Sequence, residues 1–200
     1  LIQIIDIINN KPNTAFIAGA CKHFSLGKDQ VQLPQNDPEL LTISPLFFAT
    51  SPITKRLFYK LGGYYIPDHF FHTDWDFWLS VFESNISGYI TNDILYERRR
   101  RYNSVTWKNI QDLGKGLELI IYRHPHFFNL ENRKRKARYN VYEKLARQYK
   151  FLGERKKAAE NAKKALQYGE SVPVFGTIFK EEKMSYFRYL LRRLGRHINW

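Results

Sequence analysis

The sequence predicts an α/β fold at its front followed by an all-helical extension, and three observations carry that division. Short apolar runs of strand length alternate with amphipathic helical stretches over the first hundred residues. Past residue 105 only helical spacing recurs. The charge turns over at nearly the same place: residues 1–97 hold 6 Lys/Arg against 10 Asp/Glu, net −4, whereas residues 98–200 hold 26 against 9, net +17. The organisation read from this is a front domain over 1–107 and a helical extension over 108–200. With 44% apolar residues in 200, the chain can bury a proper core, which excludes intrinsic disorder.

The elements follow in order. Leu1-Ile-Gln-Ile-Ile-Asp-Ile-Ile reads as a helix or strand already under way, stopped at Asn9-Asn10-Lys11-Pro12. Residue 1 is Leu and the only Met is Met184, so the chain is expected to be the C-terminal piece of a longer protein. Thr14–Ala20 reads as a short buried strand, and Cys21 beside it as a small buried hydrophobe. One cysteine excludes an internal disulfide framework and a cysteine zinc cluster, and fits a reducing compartment. Residues 25–45, with Gly27, Pro34, Pro38 and Pro45, read as irregular, and Leu46–Ala49 as a brief apolar strand. Thr54 suits the cap of a helix over Lys55–Leu61 that Gly62-Gly63 ends. An aromatic loop, Tyr64–His72, leads to a helix opened by Thr73, with Trp75, Trp78, Leu79 and Phe82 on one face and Asn85 at its end.

Gly88–Glu97 is the last strand expected, followed by the basic run Arg98–Arg101. Ile110, Leu113, Leu117, Ile120 and Ile121 then keep helical spacing. Two helical stretches, 132–152 and 154–168, hinge at Gly153. Their Tyr142, Leu145, Ala146, Tyr149, Ala158, Ala162 and Ala165 resemble a single tetratricopeptide hairpin. A final amphipathic helix is expected over Ser185–Ile198, with Phe187, Leu190, Leu191 and Leu194 on one side and Arg188, Arg192 and Arg196 on another. No apolar run approaches the roughly 18–20 residues of a membrane span, and no signal peptide opens the chain.

The densest polar constellation is Asp68-His69-Phe-Phe-His72-Thr73-Asp74-Trp75-Asp76. One account is local: Thr73 as N-cap with Asp76 at N3 is a capping-box variant, and Asp74 at N1 suits the helix dipole. The other is chemical. A double glycine and an aromatic loop lead onto the helix tip and form a rim where Asp74 faces a substrate. Trp75 then has two readings, core side chain or stacking platform for a sugar ring, whereas the spacing of Trp78 places it in the core.

The ordered combination Lys55-Arg56-Leu-Phe-Tyr-Lys-Leu61-Gly62-Gly63-Tyr64, a short gap, Thr73-Asp74-Trp75-Asp76-Phe77-Trp78-Leu79, a strand, and Tyr96-Glu-Arg-Arg-Arg-Arg101-Tyr-Asn-Ser104 resembles family 2 glycosyltransferases. The resemblance spans about residues 1–107. It implies the C-terminal half of a GT-A-like mixed-sheet nucleotide-sugar transferase domain, with the nucleotide-binding half upstream. It implies inverting sugar transfer, with Asp74 as general base. Thr73, Trp75, Asp76, Arg98 and Arg101 would contact substrate, the arginines at the donor diphosphate, where Arg offers bidentate phosphate contacts. Thr73 stands where the family usually has Glu. A divalent metal, Mg or Mn, is implied as cofactor with ligands mostly upstream. The implied partners are a nucleotide-sugar donor and a saccharide or lipid-linked acceptor of the cell envelope.

The basic back half allows a second function class, a non-catalytic helical module binding a membrane surface or polyanion. The final helix joins apolar and arginine faces in the composition of an interfacial helix drawn to anionic lipid. An ordinary docked terminal helix shares that pattern. Arg133–Arg138 offers phosphate contacts, but no nucleic-acid motif accompanies it. A cytoplasmic location, peripheral on the inner membrane face, is the expectation. His69 and His72 with nearby aspartates, or His124 and His126, tempt a metal reading, but Pro67 opposes a helical face for the first pair. His124 and His126 suit a helix C-terminus instead.

Overall fold

A computed structural model describes residues 2–24, 29–67, 72–99 and 112–195, the last ten as backbone. The chain divides into two compact units, residues 1–130 and 131–200. The first is mixed α/β and the second, among the described residues, is helical.

Helix α1 (Ile2–Asn10) opens the first unit and leads to strand β1 (Ile17–Phe24), which runs longer and starts later than Thr14–Ala20. β1 is the middle strand of a three-stranded sheet, pairing antiparallel with β2 (Gln30–Gln32) and parallel with β3 (Tyr89–Arg99). Its burial explains why Ile17, Ala18, Ala20 and Cys21 form a near-continuous apolar run rather than alternating. Cys21 is buried, as its apolar context predicts. The irregular stretch contains β2 and a 3-10 turn, Pro38–Thr42, whose start is capped by Asp37 accepting from the Glu39 N–H at 3.0 Å.

The strand expected at Leu46–Ala49 does not form. This stretch turns instead, with Phe47 buried against Phe16 and Trp78, and pairing is limited to a bridge between Phe16 and Ile53. The apolar run therefore serves core packing rather than a ladder.

Helix α2 (Lys55–Lys60) has the expected cap, Thr54 Oγ1 accepting from the Leu57 N–H at 3.2 Å. It ends because Gly62, at φ +79°, takes the left-handed conformation that closes a helix, with Gly63 donating back to the Phe58 carbonyl. Helix α3 (Thr73–Glu83) ends the same way on Asn85, φ +52°, and Ile86 donates back to the Val81 carbonyl. Its start differs from expectation. His72 is the N-cap residue and makes no side-chain cap bond, so Thr73, Asp74 and Asp76 stand at N1, N2 and N4.

Helix α4 (Leu113–Arg123) and a 3-10 turn, Phe127–Asn129, complete the unit. The first compact unit reaches residue 130, and Arg123 of α4 and His124 just after it bond to α3. In the second unit, α5 (Glu131–Phe151) and α6 (Arg155–Leu166) form the hairpin through Gly153. Ala158, Ala159, Ala162 and Ala165 of α6 are buried, as are Leu145, Ala146 and Tyr149 of α5, the small-against-large pattern of two closely packed helices. The last helix, α7 (Pro173–Gly195), starts at Pro173 rather than Ser185. Proline suits a first helical position, and the burial of Phe175 and Ile178 extends the apolar face upstream. No helix among the described residues is long and apolar enough to cross a membrane.

Gly88, just before β3, sits where a Cβ would fall 2.5 Å from the Phe16 ring. Phe16 is fixed edge-on to Trp78 at 5.2 Å. Gly88→Ala is therefore expected to destabilise the first unit by about 1–3 kcal/mol through overpacking, read as a lowered urea midpoint by tryptophan fluorescence.

Candidate functional site

The first turn of α3 leaves N–H groups without intrahelical acceptors. One of them, on Trp75, donates to Asp74 Oδ1 at 2.9 Å, which fixes the Asp74 carboxylate against the helix start. Asp74 is half-buried. Next to it lies Tyr64, whose phenol is pushed above its ordinary value by burial and by the charge of Asp74. Tyr64 is itself held by a hydrogen bond from its hydroxyl to the Ala49 carbonyl at 3.1 Å and by edge contacts with Phe58 and Phe77. The aromatic approach to the helix tip is thus a packed wall behind Asp74.

The other candidates divide. Thr73 is half-buried at N1 and makes no cap. Trp75 is 2% exposed and donates its indole N–H to the Leu41 carbonyl at 2.6 Å, so it is a core side chain and not a stacking surface. Asp76, 2% exposed, is likewise spent inside the protein. Its Oδ1 accepts from Arg123 Nε at 2.7 Å and from His124 Nε2 at 2.9 Å, and its Oδ2 from Arg123 Nη2 at 3.3 Å. This demand from 47 and 48 residues away explains the missing capping box: Asp76 turns inward to two cations. Arg98 is exposed on β3, in register with His23. No hydrogen bond or ion pair among the described residues joins it to α3. Arg101, Asp68 and His69 lie outside the described residues.

Sequence reasoning missed Arg123 and Glu83. It placed His124 correctly at a helix C-terminus, where its N–H bonds to the Ile120 carbonyl, but not its partners. His124 Nδ1 lies 2.9 Å from Glu83 Oε2, whose other oxygen accepts the Phe127 N–H. Each ring nitrogen lies 2.9 Å from a carboxylate oxygen, and a carboxylate anion only accepts, so both bonds form together when the ring carries both protons. Burial pushes the His124 pKa down, but hydrogen bonds and charge from Asp76 and Glu83 prevail and raise it above 6.5. Burial likewise pushes Asp76 up, and the bonds and charges of His124 and Arg123 prevail to hold it below 3.8. At the other end of the helix pair, His72 Nε2 is 3.0 Å from the Leu113 carbonyl. Bonds at both ends of α4 thus tie it to α3 and to its N-cap residue. No lone sequence signal marked this network, because its members are polar residues with ordinary local explanations.

A cleft of about 390 Å³ lined by Phe16, Leu41, Phe47, Trp78 and Phe82 is apolar and does not include Asp74. Among the described residues no group of three His, Cys, Asp or Glu side chains is arranged to hold a metal ion. No family model matches the chain, and no curated protein or solved structure matches it.

The directions of the two shifts fix a pH dependence. The contribution of Asp76, whose folded pKa is lowered, is present above 3.8 and lost as pH falls through the folded value. That of His124, whose folded pKa is raised, is complete below 6.5 and lost as pH rises through the folded value. Asp76→Asn should therefore cost the most between about pH 4 and 6.5, about 3 kcal/mol for breaking a buried pair. The gap from wild type should narrow on both sides in denaturation curves across pH.

Proposed function

We propose that residues 1–107 are the acceptor-side, C-terminal part of a GT-A-like family 2 glycosyltransferase domain, and that Asp74 is its general base. The observation that carries this is the division of labour at one helix tip. Of the two carboxylates in Thr73-Asp74-Trp75-Asp76, one is locked internally by Arg123 and His124. The other is half-buried at the N-terminal turn against an aromatic wall. The order of motifs along the chain, which resembles that family on the same residues, supports the same reading.

The step is a single displacement. The acceptor oxygen attacks the anomeric carbon, and the bond from that carbon to the nucleoside diphosphate breaks with inversion. Asp74 takes the acceptor hydroxyl proton, which requires that hydroxyl within about 2.6–3.2 Å of a carboxylate oxygen. The base gains its effect chiefly by position, since a placed reactant removes much of the entropic barrier. Arg98 and Arg101 are the candidates for the leaving diphosphate. The donor-binding half and the ligands of a divalent cation belong upstream in this proposal. The acceptor would be a cell-envelope saccharide or lipid-linked sugar, and the protein would work at the inner face of the membrane. In the full-length protein, Asp74→Asn should lower turnover by roughly 10²–10⁴-fold while donor affinity by calorimetry stays within about twofold. Retained turnover would reduce Asp74 to a helix-start charge.

A second reading is favoured by the second unit taken alone. Residues 131–200 hold 19 Lys/Arg against 7 Asp/Glu, net +12. Phe151 and Leu152 are exposed at the hairpin turn between Lys150 and Arg155, the mixture that anchors proteins on anionic bilayers. Vesicles rich in phosphatidylserine should pellet the chain at low salt and release it as salt rises; pelleting by neutral vesicles alone would remove the electrostatic reading.

A further inference from the structure

We infer that Arg123 and His124 are positioning residues for Asp74, holding the first turn of α3 and Tyr65 in the arrangement that presents the Asp74 carboxylate. The inference rests on the proposed role of Asp74, but its physical content is independent of turnover.

The argument begins with where the turn is weakest. The first backbone bond of α3 runs from the Asp76 N–H to the His72 carbonyl at 2.9 Å, so the helix's own backbone ladder begins only at Asp76. Helix starts fray for this reason. Here Asp76, two residues beyond Asp74, is gripped by a guanidinium on two atoms and by an imidazolium on one. The same guanidinium lies with its carbon 3.7 Å from the centre of the Tyr65 ring. Arginine can do both at once, because its planar fork bonds in plane while its face stacks. Arg123 thus ties the helix tip to the loop whose next-door residue, Tyr64, feels the charge of Asp74.

His124 adds the long axis of the helix. Its two nitrogens join Asp76 in the first turn to Glu83 in the last, seven residues apart. The groups that face it are Asp76 and Glu83 from α3, Arg123 from its own helix, and the Phe127 amide through Glu83. The span holds only while the ring carries both protons. On losing one, a nitrogen lone pair would face a carboxylate in a site where His124 is 3% exposed, and one of the two links would open.

The test reads Asp74 through its own hydrogen bond rather than through catalysis. In the 200-residue chain labelled with ¹⁵N, the Trp75 amide donates to Asp74 Oδ1, so its shift reports that carboxylate's placement. Across a pH titration the Trp75 amide should show an inflection that coincides with titration of the His124 ring. His124→Gln should abolish the inflection, with cooperative thermal unfolding retained. Should that variant not fold, Glu83→Gln keeps the ring and removes one carboxylate, and must move the shared inflection to lower pH. Arg123→Lys keeps the charge but loses the fork and stack, and should shift both the Trp75 amide and the Tyr64 ring signals. A His124 ring that titrates without moving the Trp75 amide overturns the inference, as does a Glu83→Gln inflection that stays in place. Unchanged Trp75 and Tyr64 signals in Arg123→Lys overturn the part assigned to Arg123. If turnover survives Asp74→Asn while the Trp75 amide follows His124, the base assignment falls and the coupling stands.

Discussion

A carboxylate buried as an anion must be met by cations, or it costs several kcal/mol, and the arrangement of the first unit follows from how Asp76 is met. Its partners are neighbours in sequence, Arg123 and His124, at the last turn and end of α4. To deliver them, α4 must lie along α3, and that is why the first compact unit extends to residue 130. Glu83 would be unfavourable at a helix C-terminus on dipole grounds alone. The imidazolium and the Phe127 amide offset that disadvantage. One polar contact thus fixes the position of a helix, the closing turn after it and the orientation of the α3 tip.

Behind that polar side is an aromatic one. Phe16, Phe47, Trp78 and Phe77 meet edge to face or tilted at 5.0–5.4 Å, and Phe58 and Tyr64 continue the series toward the loop. Edge-on packing resists sliding because each ring's positive rim sits on another's negative face. The helix that bears Asp74 is thus backed by rings on one side and pinned by charges on the other. The second unit is built on a different principle. Alanines let its helices approach closely, while the basic side chains run along the outside. Some of those basic side chains also join its helices, Lys150 to Glu181 at 3.6 Å and Lys163 to Glu182 at 3.8 Å.

Features that depend on neighbours in sequence were legible in it. The Thr54 cap, the Gly62 and Asn85 closures, the hinge at Gly153 and the core position of Trp78 all rest on local rules, and the structure has each of them. Features that depend on a partner far along the chain were not. The capping box at Thr73 gave way to a salt bridge from Arg123. Trp75 left the site for a bond to the Leu41 carbonyl. The apolar run at Leu46–Ala49 had strand composition but packed its Phe47 into the core. The last helix starts at Pro173, upstream of the expected Ser185, and proline suits a first helical position.

The sequence by itself determined the alternation of strands and helices, the helical back half, the uneven charge and the candidacy of Asp74. These follow from periodicity, capping and composition, each set within a few residues. Only the tertiary structure decided which of the two aspartates at the helix tip remains at the surface of the core and which becomes part of it. The physical reason is burial. A carboxylate's environment is made by groups that folding brings from 47 residues away, and no local rule ranks Asp74 above Asp76 until those groups arrive.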